Sequence, residues 1–240
     1  FAWFPEVPDH AAAVQQLLGR VAVEHLGWVG RARMREQLAE VLDGTDIIVL
    51  TDEVYEYMCF DGRKHVSPAT VPGLAERTLT MNSFSKTFSV TGWRIGFLAG
   101  PAEIVEKCGI CFDQIEVCAA RPMQRGVQRA LEELPDTFYS ELQISYEKKR
   151  DAFVAALRDA GFEFATPHGA YYVLADYSRV FGDVDAHAAV LQMIDQIGVN
   201  AVPGHLFFAE PKGIRTMRFQ FAVDWPVLDE AMKRLRSLAQ

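Results

Sequence analysis

The chain is short of basic charge, of cysteine and of long apolar runs, and it lacks the glycine-rich phrases that cradle nucleotides. Its 24 Lys and Arg are outnumbered by 32 Asp and Glu, a net charge of −8. That balance argues against nucleic-acid binding, which needs a basic face to neutralise phosphates. No apolar run approaches the roughly 20 residues that span a bilayer, and no secretory signal is visible. Neither a G-x-G-x-x-G fingerprint nor a GxxxxGK loop occurs, so nucleotide binding has little support. The six histidines, at 10, 25, 65, 168, 187 and 205, are scattered, and none forms a pair at metal-ligand spacing. There is no internal repeat and no low-complexity segment.

Cysteine is scarce: Cys59, Cys108, Cys111 and Cys118. Three of them fall in "EKCGICFDQIEVC", which reads as helix. A metal site there lacks a nearby fourth ligand. The cysteines therefore read as small buried apolar groups in a reduced, cytoplasmic protein.

What is present is an ordinary globular composition, with 240 residues, half of them apolar and 23% charged. That is enough for one large domain or two modest ones. The chain begins at Phe1 with "FAWFPEVPDH", and residues 1–34 show no clean period. Regular patterning starts near Arg35, so the expectation is a fragment, or a chain altered at its beginning.

From there strands and helices alternate, which predicts an α/β fold. "MREQLAEVL" (34–42) is a predicted helix stopped by Gly44. "DIIVL" (46–50) is a buried strand, with Asp52 just past its carboxyl end. "RTLTMNS" (77–83) and "RIGFLAG" (94–100) are further strands. Helices follow at 102–117, at 122–134 with Pro122 at the start, and at 135–161, ending at Gly161. After this long helix come short strands "FEFA" (162–165) and "AYYVLAD" (170–176), and a helix at 185–197. "MRFQFA" (217–222) is a strand, and 224–238 a closing helix capped by Asp224. The long helix marks the division, with a first domain over 1–140 and a smaller one over 141–240.

Ligands of open α/β sheets bind outside the carboxyl ends of the strands. Asp52 and the stretch Ser83–Lys86 both fall there. A half-buried lysine is costly unless used, and one use is as a Schiff-base amine. Arg94 would lower the lysine's pKa and grip a phosphate. An aspartate facing a ring nitrogen keeps a pyridinium protonated. Singly, each residue has an ordinary explanation: a loop carboxylate, a solvated lysine, a surface ion pair, serines bonding local backbone. Together they describe a site for pyridoxal phosphate.

"TDEVYEY" (51–57), "SFSKTFSVTGWRIG" (83–96) and "MRFQFA" resemble the signatures of the class I/II aminotransferases, pyridoxal-phosphate enzymes of fold type I. The resemblance is to the kynurenine, glutamine and aromatic aminotransferase group and runs from about Arg35 to the C-terminus. "PHGAYYV" and "VPGHLFF" are similar to phrases the family keeps at those places. The resemblance implies a large cofactor-binding domain, here partial and built on a mostly parallel sheet, followed by a smaller C-terminal α/β domain.

Residue by residue, it implies that Lys86 is the Schiff-base lysine and proton shuttle, that Asp52 pairs with the pyridine nitrogen, and that Tyr55 hydrogen-bonds the cofactor's phenolic oxygen. It implies Ser83 and Arg94 as phosphate ligands and Arg218 as the fork for the substrate α-carboxylate. The partners it implies are an L-amino acid, a 2-oxo acid and a second copy of the chain in a homodimer.

The sequence also departs from the family. The preceding third, with its phosphate loop and stacking aromatic, is not recognisable. The Asn-Pro-x-Gly phrase corresponds to "GWVG" (27–30), which puts Gly27 where the family has asparagine. The reading is an aminotransferase, shortened or altered at its N-terminus. The alternatives are a catalytically incompetent fragment or degenerate relative, and a pyridoxal-phosphate-dependent Cβ lyase.

Overall fold

The computed structural model describes residues 38–209 and 214–239. The readings of residues 1–34, of "GWVG" and of the first part of the 34–42 helix lie outside them. The described residues form two compact units, one of 38–56 and 64–135, the other of 57–63 and 136–239. The second unit starts at the head of the long helix, where the sequence reading places the division at 140/141, and it also takes in 57–63.

In the first unit, helical residues 38–42 lead to strand β1 (Val49–Asp52). Strand β2 (Thr78–Ser83) lies parallel to it, with Val49 opposite Thr78 and Asp52 opposite Met81. Helix α1 (Phe84–Thr87) follows at once. A 3-10 turn at Thr91–Trp93 then leads into strand β3 (Gly96–Ala99), antiparallel to β2. Segment 84–95 spends its length on these two short turns, too little for the crossover that a parallel strand needs. The sheet, of order β1-β2-β3, is therefore mixed. Helices α2 (Ala102–Ile115) and α3 (Arg121–Glu133) complete the unit.

Strand β1 begins three residues later than "DIIVL" suggests, so Asp52 is its last residue and not the one beyond. The partner strand starts only at Thr78, opposite Val49. Before that point Arg77 takes the backbone carbonyls, its Nη1 donating to Leu42 O at 2.8 Å and Thr45 O at 2.9 Å.

Among the described residues of this unit, the buried apolar side chains are Leu42, Leu74, Leu79, Ile95 and Val127. Leu50 is 57% exposed and Ile115 81%. Among the described residues β1 pairs only with β2. Helix α2 buries none of its side chains. That corrects the cysteine reading: Cys111 and Cys118 are exposed, Cys108 is intermediate, and only Cys59 is buried.

In the second unit, helix α4 (Asp136–Asp159) is followed by β4 (Tyr172–Asp176), α5 (Ser178–Phe181) and α6 (Ala186–Ile197). Strands β5 (Val202–Pro203) and β6 (Thr216–Gln220) and helix α7 (Trp225–Arg236) complete it. The sheet order is β4-β6-β5, all antiparallel. Alternate residues of β4 and β6 face inward, so Val173, Ala175, Met217 and Phe219 are buried. Phe153 of α4 meets Phe219 edge-on, and Leu228, Met232 and Leu235 of α7 fill the rest of the core.

Asp185 caps α6 through the N–H groups of His187 and Ala188, and Gly198 ends the helix at φ 65°. Asp224 holds the cap position of α7, but its side chain makes no capping hydrogen bond; Pro226, in the first turn, has no N–H to offer. "FEFA" is not a strand. It forms one bridge, Glu163 to Asp176.

Candidate active site

Five of the six sequence-predicted residues lie in the first unit. Asp52 ends β1 opposite Met81, and Ser83 ends β2 two residues further on. Parallel register and the two-residue side-chain period put Asp52 and Ser83 on one face of the sheet, at its carboxyl edge. Tyr55 sits half-buried in the turn after β1. Asp52 is exposed, and its Oδ1 accepts the Val54 N–H at 3.2 Å.

Ser83 is also the N-cap of α1. Its Oγ accepts from the Ser85 N–H at 3.1 Å. It donates toward Ser85 Oγ at 2.6 Å, with Ile95 O at 3.2 Å. This cap starts a single helical turn whose last turn carries Lys86, half-buried. The chain then passes through left-handed backbone at Ser89 (φ 55°) and Arg94 (φ 56°). Such positions are uncommon for non-glycine residues and gather at functional sites. Arg94 is exposed, and its Nη1 donates to Thr91 O at 3.0 Å.

The sixth residue, Arg218, belongs to the second unit, on β6 between Leu174 of β4 and Val202 of β5. Its guanidinium carbon lies 4.4 Å from the Tyr172 ring centroid and 4.3 Å from that of Phe207. Both rings lie within cation–π distance of the guanidinium. No acidic side chain pairs with it among the described residues. Its in-plane N–H groups are the part suited to a planar carboxylate.

Two clusters were not legible from the residues alone. Glu53, 5% exposed, accepts at Oε1 from Thr51 Oγ1 (2.8 Å), Ser67 Oγ (2.7 Å) and Thr80 Oγ1 (3.3 Å). Its Oε2 lies 2.6 Å from His65 Nε2. Burial alone would push this carboxyl up. The hydrogen bonds from His65, Ser67 and Thr51 outweigh that and hold it below its ordinary value. In the second unit, Asp61 faces Arg150 and His168. The Arg150 hydrogen bonds hold the Asp61 carboxyl well below the usual carboxylate range, against the opposing effect of burial.

The family model for aminotransferase class I and II matches residues 29–235. The chain belongs to the class I and II aminotransferases. It is 32% identical to kynurenine–oxoglutarate transaminase of Dictyostelium discoideum, over 88% of this chain and 54% of that one. A probable N-succinyldiaminopimelate aminotransferase of Mycobacterium tuberculosis is 32% identical over 85% of this chain and 53% of its own length.

Among solved structures, N-succinyldiaminopimelate aminotransferase from Mycobacterium tuberculosis superposes with a TM-score of 0.80 at 33% identity, covering 87% of this chain and 54% of that one. YbdL from Escherichia coli, described as having a methionine aminotransferase function, gives 0.81 at 30% identity, over 86% of this chain and 54% of that one. The α/β fold is thus that of fold type I aminotransferases. The chain spans about half the length of the curated relatives it matches. Enzymes of this family use pyridoxal phosphate. Among the described residues no helix is long and apolar enough to cross a membrane.

Proposed function

We propose that the chain carries the amino-group-transfer site of an aminotransferase that uses pyridoxal phosphate, an L-amino acid and a 2-oxo acid. The observation that carries this reading is the register of β1 and β2, which puts Asp52 and the Ser83–Lys86 turn at one edge of one sheet. The donor set suits the cofactor: an amine, a carboxylate, a phenol, a hydroxyl and a guanidinium for an aldehyde, a ring nitrogen, a phenolic oxygen and a phosphate.

Bound pyridoxal phosphate supplies an aldehyde that condenses with amines and a ring that withdraws electrons from the substrate's Cα. Lys86 Nζ would be the amine that holds the aldehyde group, and the base placed to move the substrate's Cα proton. Asp52 would set a negative charge against the ring nitrogen and so keep a proton there. Tyr55 donates its hydroxyl to the phenolic oxygen. Ser83 and Arg94 would hold the phosphate. Arg218 forks onto the substrate α-carboxylate.

In the same reading the first unit is part of the large cofactor-binding domain and the second is the small C-terminal domain. The protein works as a cytoplasmic homodimer. Light scattering of the purified protein tests the dimer.

The deciding experiment is the absorption spectrum of the protein mixed with pyridoxal phosphate, followed by borohydride trapping and peptide mapping. The expected result is a yellow adduct trapped at Lys86 and absent from Lys86→Ala. A folded chain that traps nothing at Lys86 overturns the reading.

A further inference from the structure

Asp52 and Glu53 are neighbours in sequence, so their side chains leave opposite faces of the same extended backbone. Asp52 turns to the exposed face and Glu53 is buried. A buried carboxylate is costly unless every lone pair has a donor. Glu53 is compensated by side chains from three stretches of chain, three hydroxyls at Oε1 and the His65 ring at Oε2. Thr51 comes from β1, Thr80 from β2, and His65 and Ser67 from the loop between them. Its own N–H donates to Met81 O at 2.8 Å, which carries the β1–β2 pairing past Asp52.

A second fastening lies three residues on. Glu56 Oε1 accepts from Asn82 Nδ2 at 2.8 Å, and Asn82 Oδ1 accepts the Ser83 N–H at 2.7 Å. The segment that carries Tyr55, directly after Asp52, is therefore tied to the end of β2 at both 53 and 56. The end of β2 leads straight into Ser83 and Lys86.

We propose that Glu53 is a positioning residue, whose four-donor carboxylate fixes the spacing between Asp52 and the Ser83–Lys86 turn. The proposal rests on the functional reading above. Glu53 touches neither cofactor nor substrate in that reading; it acts through the two strand ends it binds. Glutamine in its place would keep an acceptor oxygen for Thr51, Ser67 and Thr80 and lose only the contact with His65. Alanine would release all four partners and let the strand ends move apart.

The test is a titration of the folded chain with pyridoxal phosphate, followed by absorbance, with the pH midpoint of the adduct's spectral change measured in parallel. Glu53→Ala should raise the Kd about tenfold and shift the spectral midpoint. Glu53→Gln should restore most of both. Asp185→Ala, which loosens a helix cap in the other unit, should leave both unchanged although it lowers stability.

A folded Glu53→Ala chain with the wild-type Kd and midpoint overturns the proposal while leaving the functional reading intact. A wild-type chain that traps no pyridoxal phosphate at Lys86 overturns both. Should Glu53→Ala fail to fold, Ser67→Ala and Thr80→Val decide in its place. A Kd raised by each supports the proposal, and an unchanged Kd overturns it.

Discussion

Arg150 grips Asp61 as a fork, Nη2 to Oδ1 at 2.7 Å and Nη1 to Oδ2 at 3.0 Å, across 89 residues of sequence. The arginine is 2% exposed. Its guanidinium lies over the Phe60 ring, and Nη1 also donates to Pro167 O at 2.8 Å. Phe60 and Met58 exchange backbone hydrogen bonds with His168 and Ala170, and Gln143 of α4 donates to the Cys59 carbonyl. Residues 57–63 are thus strapped onto α4 and the turn before β4. They directly follow the stretch that holds Asp52 and Tyr55.

Removing the fork should loosen this strap. Arg150→Met keeps much of the packing against Phe60 but leaves the Asp61 carboxylate with His168 alone and the Pro167 carbonyl without the Arg150 donor. The expected cost is about 2 kcal/mol, below the value for a fully buried pair because Asp61 is partly open to water. Urea unfolding measures it as a lower midpoint at unchanged slope. Asp61→Asn should cost less, since an amide oxygen still accepts one bond.

The same pair predicts a pH dependence. The Asp61 carboxyl titrates below its ordinary value in the folded chain, because of the Arg150 hydrogen bonds. The unfolded chain, with an Asp pKa of about 3.9, therefore takes up the proton first as pH falls. The stability that Asp61 contributes is complete above about pH 5 and drains away below it. Solvent screening at this partly exposed carboxylate limits the loss to about 1 kcal/mol. Thermal unfolding followed from pH 6 to pH 3 should show a shallower acid slope in Asp61→Asn than in wild type. Equal slopes would assign the acid loss to other carboxylates, Glu53 first among them, since its carboxyl is also held low.

Much of the fold was legible because local pattern and final pairing agree. "TLTMNS" alternates and is β2, and the helix read over 185–197 is α6, which starts one residue later with Asp185 as its cap. The candidate site could be read only as a set, since Lys86, Asp52 and Arg94 mean little apart; the register of β1 and β2 puts Asp52 and Ser83 at one strand edge. What could not be read depended on distant partners. The start of β1 is decided by Thr78 and Arg77. Nothing in "TDEV" says which of two consecutive carboxylates turns inward; the donors that draw Glu53 in come from as far as Thr80. The cysteines of α2 read as buried because free cysteines usually are, yet that helix buries none of its residues.

Arg218 offers a prediction about binding. The Tyr172 and Phe207 rings lie 4.4 Å and 4.3 Å from its guanidinium carbon, and its N–H groups are the part that can fork onto a carboxylate. Lysine has neither the planar fork nor the stacking surface. Arg218→Lys should raise the KM for an amino acid about tenfold or more, the loss of one charge-assisted hydrogen bond. Loading of pyridoxal phosphate, read from the absorption spectrum, should not change. An altered spectrum with unaltered KM would contradict the assigned role.

Gly96 tests the close approach of β3 to β2. A Cβ at this position would lie 2.5 Å from the Asn82 carbonyl oxygen and 3.3 Å from Ser83 Cα, both backbone atoms with little room to give. Gly96 faces Ser83 in the antiparallel register, beside the turn that carries Lys86. Gly96→Ala therefore has to push β3 away from the strand end that holds the cap of α1. Overpacking of this kind costs about 1–3 kcal/mol. Gly109→Ala is the control, because its Cβ would meet nothing within 4 Å, and alanine favours a helix by about 1 kcal/mol over glycine. Gly96→Ala should lower both the unfolding midpoint and the affinity for pyridoxal phosphate, whereas Gly109→Ala should raise the midpoint and leave the affinity alone. Equal behaviour of the two would mean that the β2–β3 spacing has no part in holding Ser83 and Lys86.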